Sequence, residues 1–310
     1  MKVLLIVNSS ASSVTARRRV IIGKILSADH DVDVVETNRR GHATKLALDA
    51  ATNGTEVVVC LGGDGTLNEI TNGLVGTECA LAALPGGSTN VFSRAIGLPD
   101  EPTDAALVIS EALAAGSIRR IGLGSVNGRY FLFHVGIGWD AALVKEVEKR
   151  SSWKRYAGHA LFIAGGIQAF FFTYDRKHPH FRVLFDDGTT IEQGYFDICL
   201  NLNPYTFVGN RPFNVAPDAT LDRGLTNISV DSLRTVPFLR LMSRALRGEN
   251  GLRGAPGADY RTDLTSMRVE AFGAVPYQVD GDHLGEIETL DFAHHPEIMS
   301  LVLPTGAALP

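Results

Sequence analysis

The chain has 310 residues, 45% of them apolar and 20% charged, with 29 Lys plus Arg against 34 Asp plus Glu for a net charge of −5. That length suits about two domains, and the low charge content excludes a disordered chain. The acidic balance argues against a protein that holds nucleic acid by bulk charge. Cys60, Cys79 and Cys199, with no CxxC spacing, exclude a disulfide framework and fit a reducing, cytoplasmic compartment.

Lys2 to Val7 is a continuous apolar run ending at Asn8, read as a first strand and not as the core of a leader. Thr15 to Leu26 has apolar residues at helical spacing, Val32 to Val35 is short and β-branched, and Ala43 to Ala51 is helical. Glu56 to Leu61 is a buried strand, Thr66 to Leu74 a helix, and Ala80 to Leu84 a strand. Asn90 to Ile96 and Thr103 to Ala115 are helical. Short all-apolar strands between amphipathic helices predict a parallel sheet covered on both faces.

The character changes near residue 121. Asn127-Gly128 reads as a hairpin turn, and strand-like runs follow at Phe196 to Leu202, Leu225 to Val230, Ser266 to Ala271 and Ile298 to Leu303. Helical stretches are expected at Trp139 to Arg150, Arg155 to Thr173 and Pro237 to Arg247. The expected organisation is an α/β domain over 1–121 and a mostly antiparallel β domain over 122–297. The segment Tyr156 to Tyr174 is too polar for a spanning helix.

Three turns on one edge of the parallel sheet could carry chemistry. Gly62-Gly63-Asp64-Gly65-Thr66-Leu67-Asn68-Glu69 leaves a buried strand and enters a helix, which brings backbone N–H groups to a helix N-terminus where an anion is favoured. Leu84-Pro85-Gly86-Gly87-Ser88-Thr89-Asn90 repeats the pattern, and Asn8-Ser9-Ser10-Ala11-Ser12 follows the first strand. Turns at the carboxyl ends of parallel strands line one crevice, so a nucleotide site is expected there. The plainer alternative is helix capping by Asp64, Thr66, Ser88 or Asn90. No Walker motif is present. Gly136-Ile137-Gly138-Trp139-Asp140-Ala141 lies outside the first βαβ unit and lacks the acid a dinucleotide fold wants.

These motifs resemble the diacylglycerol kinase catalytic domain family, which includes soluble bacterial diacylglycerol kinases, YegS-like lipid kinases, and sphingosine and ceramide kinases. The resemblance rests on Gly62 to Glu69, Leu84 to Arg94, Gly138-Trp139-Asp140-Ala141 and Asp280-Gly281-Asp282, in order along nearly the whole chain. It implies an N-terminal α/β domain like those of NAD kinase and phosphofructokinase, a C-terminal β-sandwich, and a chain end, 298–310, that returns to the first domain. It also implies that Asn8, Ser9, Ser10, Ala11, Ser12, Thr37, Gly63, Asp64, Gly65, Thr66, Leu67, Asn68, Glu69 and Ser88 contact ATP. Asp64 would lie by the phosphates and Mg²⁺, and Asp282 would take the position of the catalytic base.

Three positions depart from the family pattern. The late motif is D-G-D, with a carboxylate one methylene shorter than Glu. Val91 stands where an Asp is common, and Arg223 replaces the second Asp of a loop that resembles a structural Mg²⁺ site, leaving Asp222 as the metal candidate. Arg240, Arg244 and Arg247 form a basic stripe beside Phe238, Leu241, Met242, Ala245 and Leu246. Such a helix suits the anionic inner face of a membrane, or is simply a domain helix with a solvated face. The histidines of His178-Pro179-His180 and His294-His295 have no ligand cluster around them and read as loop residues.

The leading function is therefore an ATP- and Mg²⁺-dependent lipid kinase acting on a lipid alcohol, with diacylglycerol the first candidate and Asp282 or Asp64 as base. NAD kinase and a catalytically inert nucleotide- or lipid-binding regulator are the alternatives, and a homodimer is left open.

Overall fold

The apolar runs of the first 120 residues are the strands of a parallel sheet. In chain order the elements are β1 (Lys2–Val7), α1 (Ala16–Leu26), β2 (Asp31–Glu36), α2 (His42–Thr52), β3 (Val57–Gly62), α3 (Asp64–Leu74), β4 (Ala80–Pro85), α4 (Val91–Ala95) and α5 (Pro102–Ala114). Strands run in the order β2-β1-β3-β4, each pair parallel. Every residue of β3 and β4 is buried, which is why these two read as unbroken apolar runs without alternation. The computed structural model describes residues 1–148, 174–248 and 250–310, so the predicted helix Arg155 to Thr173 lies outside the described residues.

Local chemistry sets the helix ends. The Thr15 hydroxyl accepts the Arg18 N–H at the start of α1, and Pro102 opens α5. Helices α2 and α3 pack closely because Gly73 has no side chain: a Cβ there would lie 2.5 Å from the Thr44 carbonyl oxygen.

The described chain divides into two units, Met1–Leu123 with Pro296–Pro310, and Gly124–His295. The second contains β6 (Arg129–Phe131), β7 (His134–Gly138), α6 (Trp139–Glu148), β8 (Phe181–Phe185), β9 (Thr190–Gly194), β10 (Phe196–Leu200), β11 (Thr206–Val208) and β12 (Arg211–Phe213). After these come β13 (Leu225–Val230), α7 (Thr235–Arg247), β14 (Ala258–Leu264) and β15 (Ser266–Val279). Two strands, β5 (Ile118–Val126) and β16 (Asp282–Val302), run across the division. In the first unit, Ser300 and Leu301 of β16 pair in parallel with Ala80 and Leu81 of β4.

Pairing within the second unit is antiparallel, in the order β14-β13-β10-β7-β15-β16. Strand β15 has an irregular register between Glu270 and Val275. Its first half pairs with β8 and its second half with β7. Side chains alternate across β10: Phe196, Ile198 and Leu200 join a core with Trp139 of α6 and Phe238 of α7, while Cys199 faces a second core containing Val135, Phe181, Met267 and Leu290.

Two Asx-Gly pairs in the second unit are turns with positive φ at each residue: Asn127 at 47° and Gly128 at 81°, and Asp280 at 49° and Gly281 at 82°. The second pair closes the β15–β16 hairpin, with Val279 opposite Asp282. Strand β16 runs for 21 residues, where the apolar pattern marks only Ile298 to Leu303. Its first half is partly exposed and carries Glu286, Glu288 and Asp291, which hides it from a search for apolar runs.

Candidate active site

The two glycine-rich turns of the first unit lie backbone against backbone. The Gly86 N–H donates to the Gly62 carbonyl at 2.8 Å. A Cβ on Gly86 would come within 2.7 Å of Gly62 N, and one on Gly87 within 2.9 Å of Gly63 Cα. Only glycine permits this approach. The third turn is tied in as well. Asn8 Nδ2 donates to Thr66 Oγ1 at 2.8 Å, Asn8 Oδ1 accepts the Ser10 N–H, and Ser13 donates through its backbone to Gly86 O and through its hydroxyl to Gly87 O.

Helix α3 begins at this junction. Its N-cap is Gly63, and no side chain caps it. The first-turn N–H groups of a helix have no carbonyl partner within it, so an uncapped start bordered by glycines suits a phosphate. The Leu67 N–H already bonds Gly63 O, and the Leu67 and Asn68 side chains are buried, so those two positions support the turn from below.

Asp64 does more than border the turn. Its Oδ2 accepts the Val91 N–H at 3.1 Å and its Oδ1 the Phe92 N–H at 3.3 Å, so the carboxylate caps α4. Glu69 is similarly occupied: its carboxylate accepts the N–H groups of Gly41 and Ala43 at the start of α2. Ser9, Ser10, Ser12 and Ser88 are exposed, Ala11 is partly buried, and the Thr37 N–H extends β2 by bonding Val7 O. Sequence reasoning missed Ser13 as a tie and the role of Asn90. Asn90 lies at φ 50°, and its side chain brackets Gly87 by accepting the N–H at 2.7 Å and donating to the carbonyl. An Asn directly before a helix, three residues after a glycine, is the signal that could have found it. Cys60 is no nucleophile, since burial and then the nearby Asp64 and Glu69 charges push its thiol up.

In the second unit, Asp282 is the first residue of β16 and is partly buried. The turn before it is fixed by a buried polar chain. Asp280 accepts the backbone N–H groups of Leu132 at 2.8 Å, Phe133 at 3.0 Å and His134 at 3.1 Å. The Gly281 N–H donates to Gln278 Oε1 at 2.8 Å, Gln278 Nε2 donates to Asp140 Oδ2 at 2.6 Å, and the Tyr205 hydroxyl donates to Asp140 Oδ1. Burial pushes the Asp140 carboxyl up to about 6, against the lowering effect of those two donors. Gly136 leaves room for this carboxylate, because a Cβ there would lie 1.6 Å from Asp140 Oδ2. The G-x-G-W-D-A segment and the D-G-D turn are thus one hydrogen-bonded structure, which neither segment signals by itself.

Asp222 accepts the Thr220 hydroxyl at 2.6 Å. Beside it, Arg223 pairs with Asp263, while Arg253 and the Tyr260 hydroxyl satisfy Asp218. Among the described residues no group of three His, Cys, Asp or Glu side chains could hold a metal ion. Arginine side chains occupy the carboxylates around this loop, so the residues present do not fit a structural Mg²⁺ site at Asp222. The expected arginine stripe on α7 is divided too. Arg240 and Arg247 are exposed, but Arg244 donates to Gly251 O at 2.9 Å and to Arg253 O at 2.6 Å. No helix among the described residues is long and apolar enough to cross a membrane.

Comparison with known proteins agrees with the motifs. Residues 2–126 match the model of the diacylglycerol kinase catalytic domain. A diacylglycerol kinase of Bacillus subtilis is 30% identical over 233 residues, covering 74% of this chain and 73% of that protein. The chain belongs to the diacylglycerol kinase catalytic domain family. As a member it is a lipid kinase. A probable YegS-like lipid kinase of Chromohalobacter salexigens is 28% identical and covers 98% of this chain and 94% of its own. The fold is also that of a putative diacylglycerol kinase from Bacillus anthracis, with a TM-score of 0.78 at 24% identity over 99% of this chain and 98% of that one. An NAD kinase from Archaeoglobus fulgidus, solved with ATP, shares the fold more distantly, with a TM-score of 0.53 at 11% identity over 98% of this chain and 94% of that one.

Proposed function

We propose that the enzyme transfers the γ-phosphoryl group of ATP to the hydroxyl of a lipid alcohol, with diacylglycerol the leading acceptor. The observation that carries this reading is the junction of Gly62-Gly63 with Gly86-Gly87 at the uncapped start of α3. Its glycines and free-standing helix start fit a polyphosphate. Asn8 and Thr66, already hydrogen-bonded to each other, border the same turns and would orient the nucleotide, with Ser9 to Ser12 following Asn8, Ser88 following Gly87, and Thr37 bonded through its N–H to Val7.

Asp64 is the side chain that would hold a Mg²⁺ ion beside the phosphates, where the ion would supply charge neutralisation; kinase Mg²⁺ needs only one or two carboxylates in addition to the phosphates. The acceptor oxygen forms a bond to the γ-phosphorus, and the bond from that phosphorus to the bridging oxygen of ADP breaks. The acceptor proton goes to a carboxylate. Asp282, the residue directly after the hydrogen-bonded Asp280-Gly281 turn, is the candidate for this role by its place in the D-G-D motif, with Asp64 the alternative. Labelled ATP offered with diacylglycerol in mixed micelles, and separately with NAD, tests the proposal. Label in phosphatidic acid supports it, and label only in NADP removes it.

A further inference from the structure

Helix α7 already has a complete inward face: Phe238, Leu241 and Ala245 are buried against the core built on β10 and β13. Its outward face is apolar as well. Val236, Leu239 and Leu246 are 58%, 59% and 44% exposed. At 3.6 residues per turn they fall within roughly a quarter of the helix circumference, and Arg240 and Arg247 lie together along one border of that sector. Folding does not need these three residues. Ser243 falls in the same sector, so the strip is apolar but for one hydroxyl; single exposed apolar side chains are ordinary, whereas three on one helix face mark an interaction surface.

The neighbouring β11–β12 hairpin continues the pattern. Strand β12 packs on α7, Val208 is exposed, and Arg211, Pro212, Leu246 and Arg247 line an open groove between them. The helix contains no Asp or Glu, in a chain whose net charge is −5. An anionic surface repels the protein as a whole and attracts this face, so contact there would also orient the molecule.

We propose that the outward face of α7, with the β11–β12 hairpin, docks the enzyme on a bilayer rich in anionic phospholipid. Val236, Leu239 and Leu246 enter the acyl boundary while Arg240, Arg247 and Arg211 pair with lipid phosphates. The choice of a bilayer rests on the lipid-kinase reading, because such an acceptor resides in one. Arg244 takes no part, being held by the Gly251 and Arg253 carbonyls.

The test is co-sedimentation with vesicles, without nucleotide, using pure phosphatidylcholine and a mixture of phosphatidylcholine with phosphatidylglycerol. The parent should sediment with the mixed vesicles, should stay in the supernatant with the pure ones, and should be released by high salt. Arg240→Gln with Arg247→Gln should weaken partitioning roughly thirtyfold. Leu239→Ser should weaken it roughly tenfold or more. Leu107→Ser, at an exposed position on α5 in the other unit, should sediment like the parent. Circular dichroism confirms that each variant is folded.

Vesicle binding unchanged in both α7 variants, or equal binding to neutral vesicles, overturns the proposal. So does a change from dimer to monomer in Leu239→Ser by light scattering with vesicle binding intact, which would give the face to a second copy of the chain. Turnover of the parent on micellar diacylglycerol is measured alongside. Its absence would count against the kinase reading while the vesicle result stood by itself.

Discussion

The carboxylate of Asp64 accepts the Val91 backbone N–H at 3.1 Å, which joins the glycine-rich turn after β3 to the helix after β4. This bond gives the residue a duty toward the fold, beside the duty toward the nucleotide proposed for it. Asp64→Asn keeps one acceptor oxygen and loses the charge. Turnover should fall more than about a hundredfold, while melting drops by only about 2 °C, the effect of a weakened cap. Asp64→Ala leaves two N–H groups of α4 without their acceptor and should melt lower still. Thermal melts and turnover of the two variants check this, and near-normal turnover in Asp64→Asn would remove it from the reaction.

Asp280 and Asp282 should separate cleanly. Asp280→Asn puts an amide where three backbone N–H groups need an acceptor, so it should lower the melting temperature markedly. Asp282→Asn should leave melting unchanged and cost roughly 10²-fold in turnover, with Asp282→Glu retaining part of the activity. A fully active Asp282→Asn would return the base role to Asp64.

Gly136→Ala is expected to be among the most damaging single-methyl changes in the chain. The new Cβ would overlap Asp140 Oδ2 and crowd Gln278 Nε2, breaking the chain that holds Gly281. Overpacking against a buried carboxylate should cost about 3 kcal/mol or more, read as a fall in the urea midpoint. Tolerance of alanine there would mean that the strand shifts freely and that Asp140 does not fix the turn.

Stability should fall as pH rises toward neutrality because of Asp197. This carboxyl is buried, accepts from Asn227 Nδ2 and the Ser229 hydroxyl, and is pushed up to about 7, chiefly by burial. Its folded value lies above the unfolded one. The stability it contributes is therefore complete below about pH 4 and is lost as pH rises through about 7. Asp140, raised to about 6, has the same sign. Asp197→Asn should flatten this profile and melt higher than the parent at pH 8, with little difference at pH 4. Parallel melting curves for the two proteins from pH 4 to pH 8 would contradict it.

Metal removal should divide activity from stability. With Asp218 and Asp263 paired to Arg253 and Arg223, EDTA should abolish turnover and leave the melting temperature of the second unit unchanged. A large EDTA-induced drop in melting temperature would reveal a structural cation.

Much of the first unit was legible because its central strands are buried on both faces and read as unbroken apolar runs, as in Val57–Gly62. The glycine turns were legible because close backbone approach excludes every other residue, as at Gly86. What stayed hidden depends on partners far along the chain. Asp280 looks like part of a catalytic motif until the N–H groups of residues 132–134 are seen to surround it. Glu69 looks like a nucleotide contact until the start of α2 occupies it. Arg244 belongs to a basic stripe by spacing alone, and folding takes it out by supplying two carbonyls.

The most direct test is the transfer itself. Purified protein, Mg²⁺, γ-labelled ATP and diacylglycerol in mixed micelles should yield labelled phosphatidic acid, and Asp64→Asn should reduce the rate more than about a hundredfold. No label in any lipid, with label appearing in NADP when NAD is supplied, would contradict the account.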